Sequence, residues 1–242
     1  FVLMMEDLAP AEQGDQMKGL SLHQTKLALT EAAKLHASHW GDMRIDDMAW
    51  VSATKNAPGT MSQELMTGFW AAFCDRYGDR IPADCIEIGE AISRNYEFYT
   101  HGYEAPRCLI HMDFRPDNMM FGTPAGGYPL AVVDWQSLGF GSGMSDVSYF
   151  LSGALKREER RLHERALLEE YHAKLLELGV KDYSFDQVWS GYAHYSFSLF
   201  IMAFVASMIV ERTPRGDDMF FAMLRGGADH VLDVDALSRF PK

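Results

Sequence analysis

The sequence predicts a mainly α-helical α+β domain with a small β-structure in mid-chain, and three observations carry that prediction. Apolar residues recur at helical spacing over long stretches, as in Leu22, Leu29, Ala33 and Leu35 ahead of Trp40, or Leu168, Tyr171, Leu175 and Leu178. The centre of the chain changes period: short apolar runs at Cys108 to His111, Met119 to Phe121 and Leu130 to Val133 are set apart by turn-forming residues. Finally, 242 residues with 48% hydrophobic and 23% charged side chains are ordinary for a globular chain long enough to bury a core.

Taken in order, Phe1 to Met5 reads as a short strand, and residues 6–10 read as a connector that Pro10 closes. Residues 21–40 form an amphipathic helix with Ser21 as N-cap and Gly41 just past its end. Further helices are predicted from Thr60 to Tyr77 and, after Pro82, from Ala83 to Tyr99. The central strands follow, with Gly122 to Pro129 as the turn between two of them. Residues 156–178 return to helical period with a charged, solvated face. No internal repeat and no Pro/Gly/Ser linker divides the chain, so residues 11–242 read as one helical lobe.

Composition excludes several functions. With 22 Lys and Arg against 34 Asp and Glu the formal net charge is −12, the wrong sign for a surface that coats nucleic acid. The acidic balance suits a cationic or amine-bearing partner better. Cys74, Cys85 and Cys108 are too few and wrongly spaced for a disulfide framework or a zinc site, and a reducing cytoplasm is the expected compartment. The opening apolar run is too short for a signal peptide. Val188 to Val210 contains no formally charged residue and has the length of a bilayer span, but Ser190, His194, Ser196, Ser198 and Ser207 mark it as a buried core helix. No membrane span is expected.

Chemistry concentrates in His111-Met112-Asp113-Phe114-Arg115-Pro116-Asp117-Asn118 and in Asp134-Trp135-Gln136. Both follow apolar strands, where a rigid scaffold meets a loop. Phosphoryl transfer needs a carboxylate beside the attacking hydroxyl and oxygen ligands that hold magnesium against nucleotide phosphates. Asp113, Asn118 and Asp134 supply that set, and a local hairpin would bring all three to one edge. His111, Asp113, Asn118 and Asp134 also leave open a metal-dependent phosphohydrolase.

These segments resemble the H-R-D-x-x-x-x-N catalytic loop and the D-F-G metal motif of the protein-kinase-like fold. Met112 stands where protein kinases keep an Arg, Trp135-Gln136 replaces Phe-Gly, and Asp146 follows closely with no A-P-E. Control through a phosphorylated activation segment is therefore not expected. Together with Leu35-His36-Ala37 and Trp40, Val132-Val133-Asp134-Trp135-Gln136, residues 146–150, and Tyr171-His172 with Gly179, the pattern resembles the aminoglycoside phosphotransferase and choline kinase-like family, including its ecdysteroid kinase-like branches.

The resemblance implies the large, C-terminal lobe of a protein-kinase-like fold, with a β-hairpin carrying the catalytic loop. It also implies an ATP- and magnesium-dependent transfer of phosphate to the hydroxyl of a small molecule, with Asp113 as base and Asn118 and Asp134 on magnesium. Arg115 falls where the transferred phosphoryl group is approached by a cation. The Glu6 carbonyl and Leu8 N–H fall at the interlobe hinge that binds adenine. His111 and Asp146 are expected to brace the loop, and His36 to be a hydrogen-bonded packing residue. The acceptor pocket is expected from the helices after Asp146 and the insertion before the catalytic loop. Gly139, Gly141 and Gly143 are expected to permit a tight turn near the acceptor, and the methionines to fill the core. A nucleotide-binding lobe would precede the hinge, so the chain is expected to be the hinge and large lobe of a longer kinase, inactive alone. A kinase-like scaffold without activity is the remaining alternative.

Overall fold

A computed structural model describes residue 2 and residues 4–45, 47–51 and 61–241. The first helix starts are fixed by two serine caps and a proline. Ser21 and Gln24 form a capping box at α1 (Leu22–Ser38), Ser62 caps α2 (Gln63–Tyr77), and Pro82 precedes α3 (Ala83–Arg94). The single helix expected from Ala83 to Tyr99 is broken. Asn95 leaves helical geometry at φ −120° and ψ 20°, its side chain bonds back to the Ala91 carbonyl, and a short α4 (Tyr96–His101) restarts after it.

Two small antiparallel sheets follow. β1 (Glu12–Gln13), β3 (Met119–Thr123) and β4 (Gly126–Val132) form one in the order β1-β3-β4, while β2 (Cys108–Ile110) pairs with β5 (Gly139–Gly141). Register pairs Met119 with Val132 and Phe121 with Leu130. The β3–β4 turn is tighter than the sequence predicted, and Pro129 lies within β4. That strand is at the sheet edge, where a missing N–H costs no ladder bond. The strand expected at Phe1 to Met5 is not found in its described part: Val2, Met4 and Met5 are exposed and pair with no strand, and Phe1 and Leu3 lie outside the described residues. Thr60, the predicted start of the second helix, also lies outside them.

Helices α5 (Gly143–Ala154), α6 (Arg157–Glu177), α7 (Phe185–His194), α8 (Ser198–Ile209) and α9 (Pro214–Asp233) complete the lobe. α5 lies in its middle, packed on α1, α6, α7, α8, α9 and β2. One apolar cluster joins α1, α5 and α6 to Phe114, Met119 and Phe121 of the hairpin. A second, rich in aromatic rings, joins α2, α3, α8 and α9, with Trp70, Phe73, Phe200 and Phe204 in mutual contact. The helical run Phe185–Ile209 is long and apolar enough to cross a membrane, but a 3₁₀ turn at Tyr195–Phe197 interrupts it and most of it packs inside the lobe. The three cysteines are free, and burial pushes the Cys85 thiol up to about 12.

The glycines after Asp134 have a different use from the tight turn expected of them. A Cβ on Gly139 would lie 2.5 Å from Met112 Sδ, one on Gly141 2.8 Å from Ile110 Cδ1, and one on Gly143 2.6 Å from His36 Nδ1. They are absent side chains that let β5 close onto Met112 and β2, and the start of α5 onto His36 of α1.

Candidate active site

The loop between β2 and β3 is held from below by Asp146, a buried carboxylate in the first turn of α5. Its Oδ2 accepts the His111 N–H at 2.7 Å and its Oδ1 the Met112 N–H at 2.9 Å. These bonds hold Met112 at φ 66°, a left-handed conformation that costs a residue with a side chain about 1 kcal/mol or more. Asp146 is itself oriented by His36, whose Nε2 lies 3.3 Å from Oδ2 while its Nδ1 lies 2.7 Å from the Tyr171 hydroxyl. Burial keeps the Tyr171 phenol protonated, so it donates to Nδ1 and leaves the Nε2 proton for the carboxylate. Asp146 and His36 thus take the bracing and packing roles expected of them.

His111 is also committed. Its Nε2 faces the Val133 carbonyl at 2.9 Å and its Nδ1 accepts the Asp113 N–H at 3.3 Å, which fixes the neutral Nε2–H tautomer. Both nitrogens are spent on the scaffold, so this histidine has none to offer a metal.

Asp113 sits at the lip of the loop, partly exposed. Its side chain receives Asn118 Nδ2 on Oδ2 at 2.9 Å, the Tyr149 hydroxyl on Oδ1 at 3.1 Å and Arg115 Nε at 3.2 Å. Asn118 Nδ2 also donates to the Asp113 carbonyl at 2.8 Å, which identifies it as the nitrogen and leaves Oδ1 accepting nothing among the described residues. Arg115 spans two carboxylates, donating through Nη1 to Asp117 Oδ2 at 2.6 Å. Burial opposes its charge, but Asp113 and Asp117 outweigh that and hold its pKa above the ordinary value. Asp117 in turn accepts the Gln16 N–H, and its carbonyl accepts Gln13 Nε2, so the loop is tied to the segment that carries β1.

Asp134 reaches the same edge by a different route. The Val133 N–H donates to the Asn118 carbonyl at 2.9 Å, placing the end of the β3–β4 hairpin beside the loop. Asp134 then turns out at φ 69°, with an exposed side chain that makes no hydrogen bond among the described residues. Asn118 Oδ1 and the Asp134 carboxylate are hard oxygen donors of the type magnesium takes, and neither is spent on the protein. No group of three or more His, Cys, Asp and Glu side chains among the described residues has metal-binding geometry. Glu6 and Leu8 are not in contact with these groups. The Glu6 carboxylate accepts the Tyr128 hydroxyl at 3.0 Å, and the Leu8 carbonyl accepts the Ala11 N–H at 2.9 Å, so the backbone atoms expected to meet adenine, the Glu6 carbonyl and Leu8 N–H, stay free among the described residues.

Asp113 opens onto a cleft of about 400 Å³. Met112, Arg115, Ser137 and Tyr149 line one side, and α8 and α9 supply Met202, Ala206, Met219, Phe220 and Met223. None of the described residues of the insertion between α1 and β2 reaches it, contrary to expectation, because α2 and α3 pack on the outer faces of α8 and α9. Several methionines read as core fillers are in fact cleft wall.

A family model described as the ecdysteroid kinase-like family matches residues 1–182. The chain belongs to the ecdysteroid kinase-like family. No curated protein matches its sequence. Among solved structures, an ethanolamine kinase from Plasmodium vivax is 11% identical at a TM-score of 0.52, covering 97% of this chain and 66% of its own. A Ralstonia eutropha protein named as an aminoglycoside phosphotransferase is 13% identical at 0.51, covering 99% of this chain and 72% of its own. At such identities the likeness is one of fold, and it establishes the protein-kinase-like architecture for this ecdysteroid kinase-like chain. Two residues of its site went unassigned in the sequence, Tyr149 and Asp117. Tyr149 had a readable signal, since it lies three positions after Asp146 and so on the same helix face. Asp117 had none, because its partner Gln16 is distant in sequence.

Proposed function

We propose that this chain carries the catalytic and acceptor side of a small-molecule kinase that moves the γ-phosphoryl group of ATP to an alcohol. The observation that carries the reading is Asp113: a carboxylate fixed by Asn118, Arg115 and Tyr149 at the mouth of a cleft, with unspent magnesium-type oxygens beside it. Family membership and the shared fold support it. The acceptor oxygen bonds to the γ-phosphorus, the bond from that phosphorus to the β–γ bridging oxygen breaks, ADP leaves, and Asp113 takes the hydroxyl proton. Arg115 places a fixed positive charge beside Asp113, where charge builds on the transferred group. Asn118 Oδ1 and the Asp134 carboxylate would hold magnesium, which when bound neutralises the phosphate oxygens. The Glu6 carbonyl and Leu8 N–H take the adenine edge.

The cleft wall narrows the acceptor. Apart from Asp113 and Arg115 its lining residues are uncharged and mostly apolar. That favours a neutral alcohol with an apolar body over the cationic alcohol that whole-chain charge suggested, because net surface charge does not describe one pocket. Phosphoester hydrolysis through a histidine-carboxylate metal cage is disfavoured by His111, whose nitrogens are both engaged.

The test is Asp113→Asn in the full-length protein with ATP and magnesium. A fall in kcat of about 10²–10⁴ with little change in the KM for ATP is expected from loss of a general base. Unchanged turnover removes Asp113 from the mechanism, and phosphate release without a nucleotide donor overturns the kinase reading.

A further inference from the structure

The first turns of α5 grip the catalytic loop twice. Asp146 takes the main-chain N–H groups of His111 and Met112, and Tyr149, one turn further on, takes the side chain of Asp113. The spacing places both grips on one helix face. α5 is a rigid base for this: Ser148 Oγ is bonded to the Tyr192 carbonyl, Ser152 Oγ to His230 Nδ1, and Asp146 to His36.

The Tyr149 ring is buried in the aromatic cluster, where a phenylalanine would pack as well. Its hydroxyl adds nothing to that packing, and its hydrogen bond among the described residues goes to Asp113 Oδ1 at 3.1 Å. Burial, and then the Asp113 charge, push the phenol far above its ordinary pKa, so it remains a donor. A carboxylate at the end of a single loop side chain has two soft torsions. Asn118 engages Oδ2 from the loop itself, as Arg115 Nε flanks the carboxylate, and Tyr149 engages Oδ1 from α5, a separate element.

Resting on the kinase reading above, we infer that Tyr149 is a positioning residue, whose hydroxyl sets the angle at which Asp113 meets the acceptor hydroxyl. It occupies one lone pair of Oδ1, as Asn118 occupies one of Oδ2, and confines the acceptor's approach to the lone pairs that remain. Geometry of this kind acts on the chemical step and leaves nucleotide affinity untouched.

The test compares Tyr149→Phe and Asp113→Asn with wild type in the full-length protein, with ATP, magnesium and water as the acceptor probe, following ADP release. Tyr149→Phe is expected to slow kcat about tenfold, the effect of one lost hydrogen bond in the transition state, with the KM for ATP within about twofold of wild type. Its melting temperature should stay close to wild type, since the ring is kept. A crystal structure of the variant should show the Asp113 carboxylate rotated from its place beside Asn118 and Arg115. Wild-type kcat in Tyr149→Phe with a slowed Asp113→Asn overturns the role of Tyr149 and leaves the kinase reading standing. So does a loss of rate matched by a rise in KM and a fall in melting temperature, which marks a structural role. Wild-type rates in both variants remove Asp113 from the mechanism and overturn this inference with it, and no ADP release from wild type overturns the kinase reading as well.

Discussion

Replacing Asp146 by Asn tests the frame on which the site depends. The carboxylate is 2% exposed and accepts main-chain N–H groups on both oxygens, at 2.7 and 2.9 Å, with His36 at 3.3 Å. An amide keeps one acceptor and turns an NH₂ group toward the other donor. One buried N–H is left unpaired, at a cost of about 1–3 kcal/mol, and the surviving bond loses its charge assistance, for a total of about 2–4 kcal/mol. In a chain of this length each kcal/mol lowers the melting temperature by about 2–4 °C, so Asp146→Asn should melt roughly 5–15 °C below wild type. Calorimetry measures the loss, and amide exchange locates it: the His111 and Met112 N–H groups should lose protection while the α6 core keeps its own. A melting temperature within about one degree of wild type, with both amides still protected, would refute the claim that this carboxylate holds the loop.

Other outcomes follow from the same geometry. Gly143→Ala puts a Cβ 2.6 Å from His36 Nδ1 and should cost about 1–3 kcal/mol in denaturant melts while disturbing the His36–Asp146 contact; an unaffected midpoint would show that His36 has room to move. His230 is buried with Nε2 unpartnered among the described residues, and burial, then Arg160, hold its pKa well below the ordinary value. The unfolded chain therefore binds more protons as the pH falls below about 6.5, so stability should drop by about 1.4 kcal/mol per pH unit there, and His230→Gln should flatten that slope. For Asp233, burial works to raise the pKa, but its bonds to Arg157 and the charge of Arg160 leave it lowered. Its stabilisation is present above about pH 4 and lost as the pH falls through the depressed folded value, so Asp233→Asn should remove part of the acid transition seen by circular dichroism. Met219→Glu should raise the KM of a neutral, apolar alcohol acceptor and spare that of ATP; an unchanged acceptor KM would show that Met219 does not meet the acceptor.

Much of this was legible in the chain because local chemistry fixes it. Ser21 with Gln24 specifies the start of α1, and the apolar run Leu130 to Val133 specifies a strand that ends just before Asp134 turns. The order Asp113, Asn118, Asp134 anticipated the proximity of the loop and the hairpin end, since hairpin pairing makes neighbours of residues at fixed offsets. Where the reading missed, a distant partner was decisive. Pro129 fits inside β4 only because that strand has a free edge, and Gly139, Gly141 and Gly143 answer to Met112, Ile110 and His36. The methionines of α8 and α9 became cleft wall because Asp113 faces them, which no spacing within those helices records.

By itself the sequence determined the fold class, most of the helices and central strands, and the family resemblance, for these depend on short-range periodicity, caps and a compact motif. Tertiary structure alone decided which oxygen of each group is free, which side chains hold the Asp113 carboxylate, and what lines the cleft beside it. Those properties belong to contacts between segments a hundred or more residues apart, such as Gln16 with Asp117 and His36 with Asp146, and packing creates them only when the whole lobe closes.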